Sequence, residues 1–330
     1  MNLGKLGISL PVPPDVQTCV WWAQRAEDLG YESVWIADTN GPDPFALAAA
    51  VCQATKTLRV GIAVTPVYTR TPGVLAQAAA TIAQLAPGRF ILGVGSSSHT
   101  IVEQWHGLAF AKPVSRVRET VQLVRSLLRG EKSAFEGRTV RSRGLRLLML
   151  PAAPVPIYVG ALRPPMLELA GEVADGVAVN LFPASALPRM LEHVAQGAQR
   201  AGRDPNNIEV VCRHQVMVTS DRAAARELFR SALTGYFATP VYNQFAAWYG
   251  FEEEARLIAE GFRKGDRALT RKGMSDRFVD ALAIFGSLEE CRERIAEYVA
   301  AGVHTTAISV LSFDPDVVRA TLEGLAPARA

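Results

Sequence analysis

The segment Arg89-Phe-Ile-Leu-Gly-Val-Gly-Ser-Ser-Ser-His-Thr-Ile-Val-Glu-Gln-Trp-His-Gly107 joins an apolar strand to a polar turn. Phe90–Val94 is short and continuously apolar, as a strand buried on both faces must be, and it stops at Gly95. Ser96, Ser97, Ser98 and His99 follow at once, and then a helix-like run carrying Glu103 and Trp105. Carboxyl ends of parallel strands are where α/β folds gather their chemistry. Gly95 lets backbone approach a ligand with no Cβ in the way. The serines offer hydrogen bonds, and an imidazole is the side chain best able to move a proton near neutral pH. A serine-rich turn is the plain structural alternative.

Outward from this segment the same unit recurs. Strands read at Lys5–Leu10, Ser33–Ala37, Leu58–Val64, Val155–Val159, Gly176–Asn180, Val210–Val218 and Thr305–Val310, separated by apolar residues at helical spacing such as Val16, Cys19, Val20, Ala23 and Ala26. Four helix ends meet a glycine with a strand directly after it: Leu29-Gly30-Tyr31, Pro87-Gly88-Arg89, Asp175-Gly176-Val177 and Ala301-Gly302-Val303. Glycine in the left-handed conformation closes a helix, and repeated short αβ connections build parallel sheets. About eight βα units fit, which predicts an α/β fold, a (β/α)8 TIM barrel with insertions, as a single domain over 1–330. No GxGxxG follows the first strand, which disfavours an open dinucleotide-binding sheet.

Two segments exceed a minimal barrel. Within 131–150, Phe135–Leu150 alternates apolar and basic residues around Gly137 and Gly144 and predicts a β-hairpin excursion. Residues 237–280 carry Phe245, Trp248, Tyr249, Phe251, Leu257, Ile258 and Phe262 at helical spacing, which predicts two or three short helices before the last βα unit. Folded over the barrel mouth, Trp248 and Tyr249 would line an apolar pocket; a dimer face or packing element is the alternative.

The 330 residues are 49% hydrophobic and 20% charged, enough for a sizeable core. With 35 basic and 32 acidic residues the net charge is only +3, so nothing marks a nucleic-acid surface, and Arg138, Arg141, Arg143 and Arg146 read as a solvated hairpin. No apolar run approaches the roughly 18–20 residues that span a bilayer. Prolines 11, 13 and 14 break the N-terminal run, so the expected location is cytoplasmic. Cys19, Cys52, Cys212 and Cys291 lie far apart and read as buried thiols, and the histidines hold no HExxH pair, so no metal is expected.

Further polar residues cluster at strand ends. Asp38 closes the second strand, as a hydrogen-bond acceptor or an N-cap; Thr65, Tyr68 and Arg70 follow the third. Gly160, Ala161 and Leu162 precede a helix start with prolines, where free N–H groups bind anions and Arg163 adds charge. Asn180 ends another strand, and His214 reads as a core histidine.

Leu29-Gly-Tyr-Glu-Ser-Val-Trp-Ile-Ala-Asp38, Val64-Thr-Pro-Val-Tyr-Thr-Arg70, Ala86-Pro-Gly-Arg-Phe-Ile-Leu-Gly-Val-Gly95, Ile157-Tyr-Val-Gly-Ala161 and Ala174-Asp-Gly-Val177 occur in this order across nearly the whole chain. Together they resemble the bacterial luciferase-like superfamily, specifically its branch using coenzyme F420, an 8-hydroxy-5-deazaflavin. The resemblance implies a (β/α)8 barrel, a homodimer or larger assembly, and an oxidoreductase passing hydride between the deazaflavin and a small organic substrate. Asp38 would then lie by the ring. The third strand would bulge with a non-prolyl cis peptide at Ala63–Val64, next to Thr65, and press on one ring face. Gly95, Ser96, Ser97 and Ser98, with Gly160, Ala161 and Leu162, would hold the side chain and phosphate. Some members place a glutamate just past the fourth-strand glycines, where this chain has Ser98 and His99; another branch has one on the first strand, and Lys5–Leu10 has none. His99 is therefore the expected catalytic acid. An FMN-dependent monooxygenase of the same superfamily and a non-catalytic flavin- or deazaflavin-binding barrel are the alternatives.

Overall fold

A computed structural model describes residues 1–10, 15–312 and 314–327, so prolines 11, 13 and 14 lie outside the described residues. Its strands are β1 (Lys5–Ser9), β2 (Ser33–Ile36), β3 (Arg59–Pro66), β4 (Phe90–Gly95), β5 (Ala134–Glu136), β6 (Arg141–Arg143), β7 (Ile157–Gly160), β8 (Gly176–Asn180), β9 (Glu209–Val218), β10 (Ala283–Gly286) and β11 (Thr305–Val310). Eight of them pair in parallel in the cyclic order β1-β2-β3-β4-β7-β8-β9-β11, and β11 returns to β1. The (β/α)8 barrel is thus observed, with helices between successive strands.

Bulky side chains and glycines fill the barrel interior as complements. Trp35 and Tyr158 lie 5.9 Å apart, ring centre to ring centre, in a small cluster with Ile91, Val211 and Ala307. A Cβ on Gly61 would stand 2.3 Å from the Trp35 ring, and one on Gly176 would stand 2.6 Å from the Tyr158 ring. Gly176 therefore makes room inside the barrel. Gly30, Gly88 and Gly302 do have positive φ, whereas Gly176 has not, which corrects its reading as a helix-closing residue.

Below this layer Glu209 gathers four partners. Tyr158 donates its hydroxyl hydrogen bond, Thr305 Oγ1 donates at 2.9 Å, and Arg59 and Lys5 lie 3.3 and 3.6 Å away. Burial pushes the Glu209 carboxyl up, but the Tyr158 bond and the Arg59 charge outweigh it and hold the group below the usual glutamate range.

The hairpin appears as antiparallel β5–β6. It is tied down by Glu119, whose carboxylate accepts from Arg138 N, Thr139 N and Val140 N. The second insertion differs in detail from the sequence reading. It holds four helices, Pro240–Trp248, Glu252–Lys264, Arg267–Gly273 and Asp276–Leu282, and two βα units follow it. The missed unit begins with β10, only four residues long, which pairs with Gln215–Val218 on the edge of β9 that β8 leaves after Arg213. Phe229, Phe237, Phe251, Ile258 and Phe278 give this region an apolar cluster of its own.

His214 lies on β9, buried, with its ring centre 4.1 Å from that of Tyr298 and its Nε2 without a partner. Burial, with the charge of Arg294, pushes the imidazole down to about 3. The folded value lies below the unfolded one, so the neutral form holds stability that is complete above about pH 6.5 and drains as pH falls, by up to ~1.4 kcal/mol per unit. His214→Met is expected to flatten this acid limb relative to the parent in urea titrations at pH 7, 6 and 5. Parallel limbs in parent and variant would refute the assignment.

Candidate functional site

The carboxyl ends of the strands bring most of the sequence-derived residues together. The Ala63–Val64 peptide is cis, and the β3–β4 register shifts between Ile62 and Thr65, so β3 bulges where the resemblance implied. The bulge turns Val64 toward two neighbouring strands. A Cβ on Gly95 would stand 2.6 Å from Val64 Cγ2, one on Gly160 3.0 Å from it, and one on Gly93 1.9 Å from the Ile62 carbonyl oxygen. The glycines of β4 and β7 therefore seat the bulge. This gives Gly95 a reason beyond the open approach to a ligand read from the sequence.

Beyond the bulge, Thr65 Oγ1 donates to Asp38 Oδ2 at 2.6 Å, and Arg70 Nε reaches the same oxygen at 3.4 Å. Arg70 also bonds Asp43 and lies 4.7 Å over the Phe45 ring. Asp43, through Phe45 N and Ala46 N, is the helix cap, so the capping role weighed for Asp38 falls to Asp43 instead. Both hydrogen bonds to Asp38, from Thr65 and Arg70, fall on Oδ2, which keeps Oδ1 available to a further donor.

After β4 the chain turns through Ser97, whose φ is 63°. A residue in this conformation directs neighbouring N–H groups to one side, as anion-binding concavities require. Ser98 Oγ accepts from Ile101 N at 3.3 Å and so caps the π-helical turn Thr100–Trp105, leaving its hydroxyl proton to donate. His99 stands apart from the Asp38 pair. Its side chain is 57% exposed, its Nδ1 lies 3.3 Å from Glu103 Oε2, and its ring centre is 4.2 Å from that of Phe110. Phe110 in turn packs on Tyr68 at 5.2 Å.

The anion cradle after β7 is narrower than the sequence suggested. Ala161 N donates to Ala178 O at 3.1 Å and is spent on the sheet, and Pro164 and Pro165 have no N–H. What remains at this helix start is the Leu162 and Arg163 N–H groups with the Arg163 guanidinium, which bonds Gln244 of the insertion.

Sequence reasoning missed the opposite wall. Arg213 of β9 pairs in register with Asn180 of β8. Its Nη2 donates to Tyr236 Oη at 3.3 Å, and Tyr242 Oη donates to Asn180 Oδ1 at 3.1 Å. The available signal was a lone arginine inside the apolar run Val210–Val218. Of the insertion's two aromatic residues, Trp248 packs under Arg189 at 4.1 Å, and Tyr249 donates to Leu181 O, just past the carboxyl end of β8, at 3.2 Å. Among the described residues, no group of His, Cys, Asp or Glu is placed to hold a metal, and no helix is long and apolar enough to cross a membrane.

Fold and mouth together are those of a (β/α)8-barrel enzyme. The chain belongs to the luciferase-like monooxygenase family, whose model matches residues 4–305. It is 30% identical over 296 residues to the 5,10-methylenetetrahydromethanopterin reductase of Methanolobus tindarius, covering 88% of this chain and 90% of that one. It is 34% identical over 220 residues to the F420-dependent glucose-6-phosphate dehydrogenase of Nakamurella multipartita, covering 62% and 65%. Among solved structures, the coenzyme F420-dependent tetrahydromethanopterin reductase of Methanopyrus kandleri superposes with a TM-score of 0.82 at 25% identity, covering 98% of both chains.

Proposed function

We propose that this protein is an F420-dependent oxidoreductase that transfers hydride between the deazaflavin ring and a small organic substrate. The observation that carries the reading is the β3 bulge, with Val64 seated on Gly95 and Gly160 beside the Thr65–Asp38 pair. An apolar bulge of this kind offers a surface for one face of a flat ring, and Asp38 an acceptor for ring N–H groups. The donor set fits the rest of the cofactor. Ser96, Ser97 and Ser98 on one side, and the Leu162 and Arg163 N–H groups with the Arg163 guanidinium on the other, suit a phosphate and a polar chain. Gly95, Gly160 and Ala161 hold the backbone that presents these donors. Bound there, the deazaflavin would supply two-electron hydride chemistry. Similarity to F420-dependent enzymes supports F420 over FMN.

The chain's own part is positioning and proton delivery. Glu103 holds Nδ1 of His99, which leaves Nε2 to give or take the proton. The protein acts, in this reading, as a homodimer.

Titrating the purified protein with F420 is expected to give a saturable change in deazaflavin fluorescence. Saturable binding of FMN with no response to F420 would overturn the proposal in favour of the monooxygenase reading, and binding of neither would leave only a fold. His99→Ala should keep the F420 affinity and lower turnover of a screened acceptor about 100-fold, with its pH dependence lost. Unchanged turnover across pH would remove His99 from the chemistry.

A further inference from the structure

β9 carries two charged side chains on its inward row, and they are treated in opposite ways. Glu209, at the amino end, has four partners. Arg213, four residues and about 13 Å further along, lies beyond the apolar layer of Val211 and out of reach of that carboxylate. Among the described residues no carboxylate comes within ion-pair distance of Arg213. Its Nε is buried with no partner, and Nη2 holds only the 3.3 Å bond to Tyr236. A partly buried guanidinium without a counter-charge is costly, so a fold retains it where something else supplies the anion.

The surroundings say what kind. Tyr236 Oη already accepts from Arg213, so its own proton is left to donate, and Tyr236 is 37% exposed. Tyr242 is committed to Asn180, whose register neighbour is Arg213 itself. The result is one fixed positive charge flanked by a phenol donor and walled by aromatic rings, with Tyr236 and Tyr242 5.3 Å apart. A single planar cation beside one neutral donor matches a planar monoanion.

We propose that Arg213 and Tyr236 form an oxyanion site for the carboxylate of the organic substrate. This rests on the reading of the mouth as a redox site, and it adds the substrate class: small organic acids, held by their carboxylate at the β9 side of the mouth. Both tyrosines come from the region after β9, so Tyr236 and Tyr242 tune the choice among acids while Arg213 sets the requirement for the charge.

The test uses benzoate and phenylacetate against their neutral amides, with inorganic phosphate as a third arm, on the full-length protein with and without F420. Binding is read by thermal shift and, in loaded protein, by perturbation of deazaflavin fluorescence. The expected result is at least tenfold tighter binding of the acids than of the amides. Arg213→Met should abolish that preference with F420 affinity changed less than threefold, and Tyr236→Phe should weaken it partially. If Arg213→Met does not fold, Arg213→Gln and Tyr236→Phe carry the test, and each must reduce the preference. No preference in the parent protein, an unchanged preference in the variants, or a preference for phosphate would each overturn the proposal. A tenfold loss of F420 affinity in Arg213→Met would assign the oxyanion to the cofactor and also overturn it. Because the thermal shift is read without F420 as well, failure of the cofactor reading shows as absent F420 binding and is distinguishable from failure at Arg213.

Discussion

Gly95→Ala is expected to leave the protein folded yet weaken F420 binding at least tenfold, and Val64→Ala in the same chain is expected to restore most of the loss. The added methyl would stand 2.6 Å from Val64 Cγ2, closer than packed carbon atoms approach. Valine is branched at Cβ and has no flexible end to swing aside. Either Val64 is pushed outward or β4 shifts, and overpacking of this sort costs about 1–3 kcal/mol. Outward movement of Val64 alters the surface offered to the ring, and a tenfold loss needs only about 1.4 kcal/mol. Trimming Val64 removes the collision without touching any hydrogen bond. Gly93→Ala is the contrasting case: its methyl would meet the Ile62 carbonyl oxygen at 1.9 Å, which no second side-chain change relieves, and no folded protein is expected. Fluorescence titration and thermal melts read both effects. Unaltered F420 affinity in Gly95→Ala, or a double variant as weak as the single one, would show that the seat of Val64 does not govern the site.

Glu209→Ala is expected to destabilise the fold by about 3 kcal/mol while leaving F420 affinity within a few-fold. The loss comes less from the bonds removed than from what stays behind. Arg59, only 29% exposed, keeps its charge without the nearest carboxylate, and the Tyr158 hydroxyl loses its acceptor. Solvent reaching Arg59 keeps the cost at the lower end of the range for breaking a buried pair. Glu209→Gln, which retains an acceptor for Tyr158, should fall between parent and alanine. The pH dependence has a definite sign. The folded carboxyl lies below the usual value of 4.5, so its contribution is present above that pH and is lost as pH falls through the folded value. Parent and variant should therefore converge in acid. Urea midpoints followed from pH 7 down to pH 3 check this, and a gap that stays constant below pH 4 would count against the assignment.

The barrel was legible because its evidence is periodic. Apolar runs such as Phe90–Val94 and Gly176–Asn180 stand between helices closed by glycines such as Gly30 and Gly88, and local pattern alone locates them. β10 escaped because four residues running straight on from Asp276–Leu282 carry no turn signal. The bulge at Ala63–Val64 was named through resemblance; its steric partners Gly93, Gly95 and Gly160 lie on other strands, and only the closed barrel brings them to Val64. The same holds for Arg213 and Tyr236, which are 23 residues apart in the chain and meet only when the helix Arg222–Phe237 turns back over the mouth. Ala161 shows the opposite error: a segment that looked like an anion cradle had one of its donors claimed by a neighbouring strand.

The aromatic cluster built by Phe229, Phe237, Phe251 and Phe278 gives the segment after β9 a core apart from the main one, closed against the barrel by Leu181 and Met217. A piece of chain that carries its own core can drift, or be exchanged for a counterpart, at little expense to the barrel beneath it. Tyr236 and Tyr242 travel with that piece, whereas Arg213, Asp38 and the seat of Val64 stay behind on the strands. Transplanting residues 222–282 between relatives is thus a direct route to chimaeras that keep one redox centre and change the molecule it acts upon.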